Sequence, residues 1–350
     1  MPARGRRTQI IATLGPATNS PETIASLVAA GMDVARLNFS HATHEEIIGF
    51  VARLRDVATP GAPRILILAD LQGPKLRIGE LPEPLQLRKG ETVALTMLPD
   101  GGAGDVPAPE EAFSPAVAEG ARMYLKDGSI ELQVAARSRT RIEAVVQTGG
   151  ELTSRAGLNI QGLAPGTPTL GPRDRADLAF AVAQGIDWLA LSYVADPQVL
   201  TEARALLSDL GASTVRLVAK IELRAALGRL SEIAAAADLL MVARGDLGVE
   251  VGVEEVPIWQ HRIIAAAARA GVPAIVATEM LESMRNQERP TRAEASDVAH
   301  SVWDGANALM LCAETAIGKF PVEAVATMDL IIRRAERETS GGTGPAFIGH

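Results

Sequence analysis

Cysteine is nearly absent from this chain: Cys312 is the only one in 350 residues. An intramolecular disulfide is therefore excluded, and a reducing cytoplasm is the default compartment. Aromatic residues are scarce too, at 3%, so stacking platforms are few. No uninterrupted apolar run approaches the roughly 18 residues that a membrane helix needs. Arg4, Arg6 and Arg7 precede an apolar stretch too short for a secretory signal. Positive charge is in deficit, with a net charge of −8 and a pI of about 5.3. A nucleic-acid-binding surface is not expected on such a chain. Any anionic ligand must be met by locally placed Arg and Lys.

What is present describes an ordinary globular protein, 47% hydrophobic and 22% charged, with ample core. The length allows one large α/β domain or two smaller ones. From Thr8 onward short β-like runs alternate with longer helical patterns. Runs at 9–14, 34–39 and 64–71 read as strands, with helices starting at Pro21 behind a Ser20 cap and spanning 45–58. The rhythm then breaks. Residues 74–161 are rich in Gly and Pro and read as short alternating strands at 85–87, 92–96, 130–135 and 141–146. Gly101-Gly102, the 126–129 stretch and Gly149-Gly150 read as turns. Alternation resumes near Arg173, with strands at 188–194, 215–221, 239–243, 274–277 and 308–311. Helices are expected at 175–184, 198–210, 224–236, 255–270, 292–302 and 321–338. Eight strands each followed by a helix imply a (β/α)8 barrel formed by residues 1–73 and 162–338. A small all-β domain, 74–161, is inserted after the third strand, and 339–350 reads as a disordered tail. An open doubly wound sheet is the alternative, but no G-x-G-x-x-G follows any strand.

Function in a barrel collects at the carboxyl ends of the strands. Those ends offer Arg36, Asn38 and Ser40, then Asp70, Lys75 and Arg77, then Lys220 and Glu222. The sixth strand, LLMVA, ends abruptly in Arg244-Gly245-Asp246, which puts a cation, a bare backbone and a carboxylate on one edge. Nothing suggests secretion, so Arg-Gly-Asp is not read as an adhesion tripeptide. Thr278 and Glu279 follow the seventh strand, Glu314 and Thr315 the eighth. Any one of these could be a solvated turn residue; polar residues ending nearly every strand on one side indicate a site. Glu222 and Asp246 are carboxylates without His or Cys, which suits Mg²⁺ or Mn²⁺ rather than zinc. Cations around them imply a substrate bearing phosphate and carboxylate. Lys220 could hold either a developing enolate or a phosphoryl group in flight. Residue chemistry alone stops at a metal-assisted enzyme acting on a small phosphorylated or oxo acid.

The chain resembles the pyruvate kinase family from about Thr8 to Arg337. The resemblance is carried by ATLGPAT (12–18), AGMDVARLNFSH (30–41), LADLQGPKLR (68–77), GGELTSRAGLNIQG (149–162), AKIE (219–222) and MVARGDLGVE (241–250). It continues in ATEMLESM (277–284), PTRAEASDVA (290–299), DGANALML (304–311) and AETAIGKFPVEAV (313–325). The resemblance implies phosphoryl transfer between phosphoenolpyruvate and ADP, giving pyruvate and ATP through an enolate. By matching position, Glu222 and Asp246 would ligate the divalent ion, and Lys220 and Arg36 would hold the phosphoryl group. The amides of Gly245 and Asp246, with Thr278, would receive the carboxylate. Asn38, Ser40, Asp70 and the carbonyl of Leu71 match monovalent-cation ligands; Asn38, His41 and Arg77 fall near the nucleotide phosphates.

Departures from the pattern matter as much. Lys75 stands where potassium-dependent members carry a glutamate, and a fixed ammonium supplies the charge a bound K⁺ would bring; activity without K⁺ is the expectation. Gln72 and Ala156 replace usual lysines, Ala195 replaces a common arginine, and Glu279 replaces a glutamine. Together they remove positive charge from the nucleotide side. The family's usual C-terminal domain, with its sugar-phosphate effector sites, is not matched, so that allostery is not expected; a homo-oligomer would form through barrel surfaces. His41 and His44 are spaced like a metal pair but suit a loop and helix start better. Cys312 and the three tryptophans read as packing residues. Two rivals stay open: another metal-dependent oxo-acid enzyme (decarboxylase, lyase or atypical phosphotransferase) and a non-catalytic paralogue.

Overall fold

The computed structural model describes residues 5–57, 64–97, 104–126, 128–161, 163 and 170–338. Eight parallel strands close into a barrel. They are β1 (Gln9–Thr13), β2 (Val34–Asn38), β3 (Leu66–Asp70), β4 (Trp188–Leu191), β5 (Arg216–Ile221), β6 (Leu239–Ala243), β7 (Ala274–Ala277) and β8 (Ala308–Leu311). Each pairs with the next in sequence, and β8 returns to β1 with Ile10 opposite Leu309. The (β/α)8 closure expected from the alternation is the observed fold. Register then sets the chemistry: Thr13 lies opposite Arg36, and Asp70 lies between Asn38 and Ala190. Polar residues from three strands therefore reach one rim at one height.

The strands are mainly apolar because both their faces are covered. One face packs inside the barrel, where Ile11, Val34, Leu68, Val218, Met241 and Ile275 form a closed cluster around Trp188. Small partners Ala190, Ala277 and Ala308 make room for the indole, which is 2% exposed. The other face packs on the helix ring. Among its helices, α1 (Pro21–Ala30) starts with Ser20 Oγ accepting the Thr23 amide at 3.1 Å. Helix α2 (His44–Asp56) begins with a capping box between Thr43 and Glu46, which satisfies two otherwise orphaned donors. Helix α3 (Pro172–Ala183) brings the chain back to the barrel.

Some boundaries differ from the pattern reading. The expected helix 224–236 is two pieces, Arg224–Leu227 and Leu230–Ala236, interrupted at Gly228. The fourth strand stops at Leu191, because Tyr193 turns the backbone to φ 58°. Arg244–Val251 is a helix that starts directly at the end of β6. Gly149-Gly150 is not a free turn: Gly150 begins a strand, Gly150–Leu152, paired with Leu85–Leu87. A Cβ on Gly149 would lie 2.4 Å from the Leu87 carbonyl oxygen, so close backbone approach requires that glycine. Trp303 is half-exposed, its Nε1 donating to the Ala335 carbonyl. The turn at Gly101-Gly102, Asp127, the last residue of the expected helix 45–58, and the tail 339–350 lie outside the described residues.

Between β3 and α3 the chain forms a seven-stranded sheet and a two-stranded one. These have their own core, with Leu95, Met123, Leu125, Leu132 and Ile142 fully buried. Strands absent from the sequence reading appear here, among them Arg122–Leu125 and Gly157–Ile160. Each is only four residues long, with two buried side chains. The sheets touch the barrel at helix Arg244–Val251, where Gln161 Nε2 donates to the Glu250 carbonyl at 3.1 Å. No helix among the described residues is long and apolar enough to cross a membrane.

Trp188→Ala removes the largest side chain of the barrel-interior cluster, leaving a cavity that its small neighbours cannot refill. A loss of about 3–5 kcal/mol is expected, read as a shift in the urea unfolding midpoint. A shift below a quarter of that would mean the indole is not a packing element.

Candidate active site

At the carboxyl rim, Lys220 ends β5 with its side chain only 11% exposed. Its ammonium lies 3.1 Å from Asp70 Oδ1 and 3.0 Å from Glu222 Oε1. It donates to Ser192 Oγ at 2.7 Å, and that hydroxyl donates to the Leu71 carbonyl at 2.8 Å. Burial works to lower the lysine's pKa, but Asp70 and Glu222 outweigh it and hold the group above the ordinary lysine range. Lys220 is therefore a fixed cation at any physiological pH and not a proton acceptor. Asp70 is held between two cations. Arg36 Nε donates to its Oδ2 at 2.8 Å, and Arg36 Nη1 reaches Thr13 Oγ1 at 3.0 Å. Burial pushes the Asp70 carboxyl up, but Lys220 and Arg36 together bring it below its usual value.

Glu222 is 1% exposed. Its Oε2 accepts the Tyr193 amide at 2.6 Å. Burial, reinforced by the nearby charge of Asp246, raises its carboxyl above the usual range despite Lys220. Asp246 stands on the first turn of helix Arg244–Val251; Tyr193 OH approaches its Oδ1 at 3.3 Å and the Lys75 ammonium at 3.8 Å. Two neighbouring carboxylates, one of them buried with its ionised form disfavoured, form an oxygen donor set that a hard divalent cation would complete. Among the described residues no group of three or more His, Cys, Asp or Glu gathers for a metal.

Beside this pair the backbone is arranged for an anion. Helix Arg244–Val251 points its first amides at the rim, and the Gly245 amide donates to Thr278 Oγ1 at 2.9 Å. Thr278 and Glu279 have φ of 72° and 53°, a conformation costly for non-glycine residues and concentrated at functional sites. Arg244 holds that strained pair in place, donating to the Thr278 carbonyl at 2.7 Å while bonding Asp297 at 2.7 Å and 2.8 Å. Arg244 is thus a clamp and not a cation offered to substrate, contrary to the strand-end reading. Glu314 and Thr315 are likewise structural. Glu314 is fully buried and accepts the Leu281 and Cys312 amides, and Thr315 Oγ1 donates to the Thr13 carbonyl. Burial pushes the Cys312 thiol up to about 11, so it is an inert packing residue at neutral pH.

The remaining sequence candidates divide. Asn38 Oδ1 accepts the Ser40 amide at 3.0 Å, and the His41 amide donates to the Asn38 carbonyl at 3.2 Å. These residues form one turn at the end of β2. Arg77 lies in the inserted sheet and donates to the Arg155 carbonyl at 3.1 Å, away from the ion cluster. His44 pairs with Asp177 at 2.7 Å, which suits the helix-start role expected of it. The residues that sequence reading missed are Thr13, Ser192 and Tyr193. The rule that found the others, polar groups just past a strand, points to Ser192 and Tyr193 once WLAL is recognised as the strand.

Lys220→Met leaves Asp70 and Glu222 buried beside each other with one cation fewer. A loss of about 3–5 kcal/mol is expected. Since the Glu222 pKa is already raised, losing Lys220 raises it further, and stability contributed by a raised carboxyl falls as pH rises through that value. The deficit is therefore larger at about pH 8 than at about pH 5, measured by urea unfolding with a chelator present. An equal deficit at both values would reject this reading of the cluster.

The chain matches the family model described as pyruvate kinase, barrel domain, over residues 5–325. It is 43% identical over 339 residues to pyruvate kinase 2 of Synechocystis sp., covering 95% of this chain and 57% of that protein. It is 43% identical over 335 residues to a pyruvate kinase of Agrobacterium vitis, covering 95% and 70% respectively. With the pyruvate kinase of Geobacillus stearothermophilus the identity is 41% over 336 residues, covering 95% and 57%. The chain thus spans little more than half the length of two of these three relatives. With the barrel, the polar rim and this similarity over nearly its whole length, the chain belongs to the pyruvate kinase family.

Proposed function

We propose that this chain catalyses phosphoryl transfer between phosphoenolpyruvate and ADP, and does so without a K⁺ requirement. The observation that carries the reading is Lys220, a buried and permanently charged ammonium set between Asp70 and Glu222 beside the anion-ready start of helix Arg244–Val251. Glu222 and Asp246 would hold Mg²⁺ or Mn²⁺, which supplies charge neutralisation between the oxo acid and the phosphoryl oxygens. The amides of Gly245 and Asp246, with the Thr278 hydroxyl, take the substrate carboxylate, as helix N-termini do for anions. Lys220 and Arg36 face the phosphoryl group as it leaves the enol oxygen for the nucleotide. Both are locked by Asp70, so neither reorganises as negative charge shifts, and preorganised charge of this kind is the largest usual contribution to catalysis. Asn38, His41 and Arg77 serve the nucleotide side. The inserted residues 74–161 act as a lid over the barrel formed by 1–73 and 162–338.

Lys75 supports the potassium reading. Its ammonium lies 3.8 Å from Asp246 Oδ1, a positive charge fixed by the chain and following Asp70 and Leu71 in the same loop. The test is pyruvate formation from phosphoenolpyruvate and ADP with Mg²⁺, with and without K⁺, in the wild type, Lys220→Met and Lys75→Glu. Wild type is expected to turn over equally in both salts, and Lys220→Met to fall by at least about 10³-fold, the scale of one lost preorganised charge. Lys75→Glu is expected to become K⁺-activated. Strict K⁺ dependence of the wild type would overturn the potassium reading. No turnover, with Mn²⁺ and oxalate still bound, would overturn the substrate assignment in favour of another oxo-acid reaction.

A further inference from the structure

Helix α3 carries three charged side chains in its first turns that face neither solvent alone nor the Lys220 cluster. Asp174 is 6% exposed, and its Oδ1 accepts the Gly73 amide at 3.0 Å. Asp177, also 6% exposed, pairs through Oδ1 with His44 Nε2 at 2.7 Å. Arg173 donates to the Phe39 carbonyl at 3.3 Å and lies 3.5 Å from Asp177 Oδ2. The His44 ring stacks on Phe180 of the same helix, with centroids 3.8 Å apart and planes 4° apart.

The groups these side chains hold belong to two rim loops. Gly73 sits between Leu71, whose carbonyl takes the Ser192 hydroxyl, and Lys75, which approaches Asp246. Phe39 and His44 bracket the turn that presents Ser40 and His41 after β2. Gly73 has φ +69°, and a Cβ there would lie 2.9 Å from Ser192 Cβ. That loop is therefore pressed against the residue that holds Lys220, and a small displacement of Gly73 reaches the cluster directly.

We propose that Asp174 and Asp177 are positioning residues: α3 is a bracket that sets the β2 and β3 rim loops against the Lys220 cluster. Neither aspartate touches substrate. Asp174 acts through Gly73 on Lys75 and Ser192, and Asp177 acts through His44 on Ser40 and His41. The arrangement costs stability. Burial, ahead of the opposing Gly73 hydrogen bond and the added charge of Asp177, raises the Asp174 carboxyl above its usual value. A raised carboxyl contributes stability that is lost as pH rises through it, so at neutral pH the ionised group works against the fold. A residue kept only for stability would be expected to do the opposite.

Only the kinetic half of this inference depends on the phosphotransfer reading. The variants are Asp174→Ala, Asp177→Ala and the conservative Asp174→Asn, which keeps an oxygen to accept the Gly73 amide. Hydrogen exchange is expected to rise in residues 71–76 for Asp174→Ala and in residues 39–44 for Asp177→Ala, with residues 216–222 unchanged in both. Each alanine variant is expected to lower kcat about tenfold, since displacing a catalytic group by an ångström has effects of this order or more. Mn²⁺–oxalate affinity should stay within about twofold, and Asp174→Asn should recover most of the lost turnover. Unchanged exchange in the loop each aspartate touches would overturn the proposal. So would a fall in kcat that merely follows a fall in oxalate binding or in unfolding temperature. If the wild type makes no pyruvate, the substrate reading fails on its own, and the exchange pattern alone decides for or against the bracket.

Discussion

The structure depends on one arrangement of charge: two carboxylates, Asp70 and Glu222, buried at the barrel rim with Lys220 between them and Arg36 behind. Any one of these groups alone would be expelled from such a place or neutralised. Together they survive because strands β2, β3 and β5 bring them to the same rim, with Asp70 on β3 set between Asn38 on β2 and Ala190 on β4. A buried pair of this kind is poor value as a stabiliser, since its desolvation cost rivals its attraction. Its use lies in rigidity. Arg36 and Lys220 are each ion-paired to Asp70 and hydrogen-bonded to a neighbouring hydroxyl, Thr13 for the arginine and Ser192 for the lysine.

Much of this was legible in the sequence, and for a definite reason. Parallel strands covered on both faces are apolar runs, so LLMVA and ALML announce themselves, and whatever polar residue follows such a run must lie at the rim. That rule locates Arg36, Asp70, Lys220, Glu222 and Asp246 without any knowledge of contacts. It fails where rim position and direction separate. Arg244 and Glu314 occupy rim positions, yet Arg244 turns to Asp297 and the Thr278 carbonyl, and Glu314 turns to two backbone amides. Nothing in a one-dimensional pattern distinguishes a side chain that faces the axis from one that staples a loop. The inserted sheets were legible only in part for a different reason. Strands of two to four residues, such as Leu76–Arg77 and Gly150–Leu152, are fixed by pairing with distant segments and carry no periodicity of their own.

Backbone strain complements the ion cluster. Among the described residues at the rim, Tyr193, Thr278 and Glu279 are non-glycine residues with left-handed φ. Tyr193 gives its amide to Glu222 and its hydroxyl to Asp246. Thr278 Oγ1 accepts the Gly245 amide. Such conformations persist only when surroundings over-determine them, and the surroundings are visible: Arg244 spans both the Thr278 and Glu279 carbonyls. The sequence departure at Glu279 therefore lands on a residue whose backbone role is retained whatever its side chain.

The loss of lysines on the nucleotide side acquires a different meaning once positions are known. Ala156 is buried against the core of the inserted sheets and is not a truncated group in an open cleft. Arg155, its neighbour, is turned by φ 58° toward an ion pair with Glu80, and Arg77 leans on its carbonyl. Positive charge is thus spent within the inserted sheets, whereas Lys75 brings an ammonium to Asp246. The Lys75 and Asp246 side chains are partly buried, where a fixed charge counts for more than one on an exposed sheet edge. The electrostatic weight of this chain lies at its oxo-acid end. On the proposed function, charge placed there favours the oxo-acid side of the site over the nucleotide side, because a fixed cation acts most strongly on the groups nearest to it.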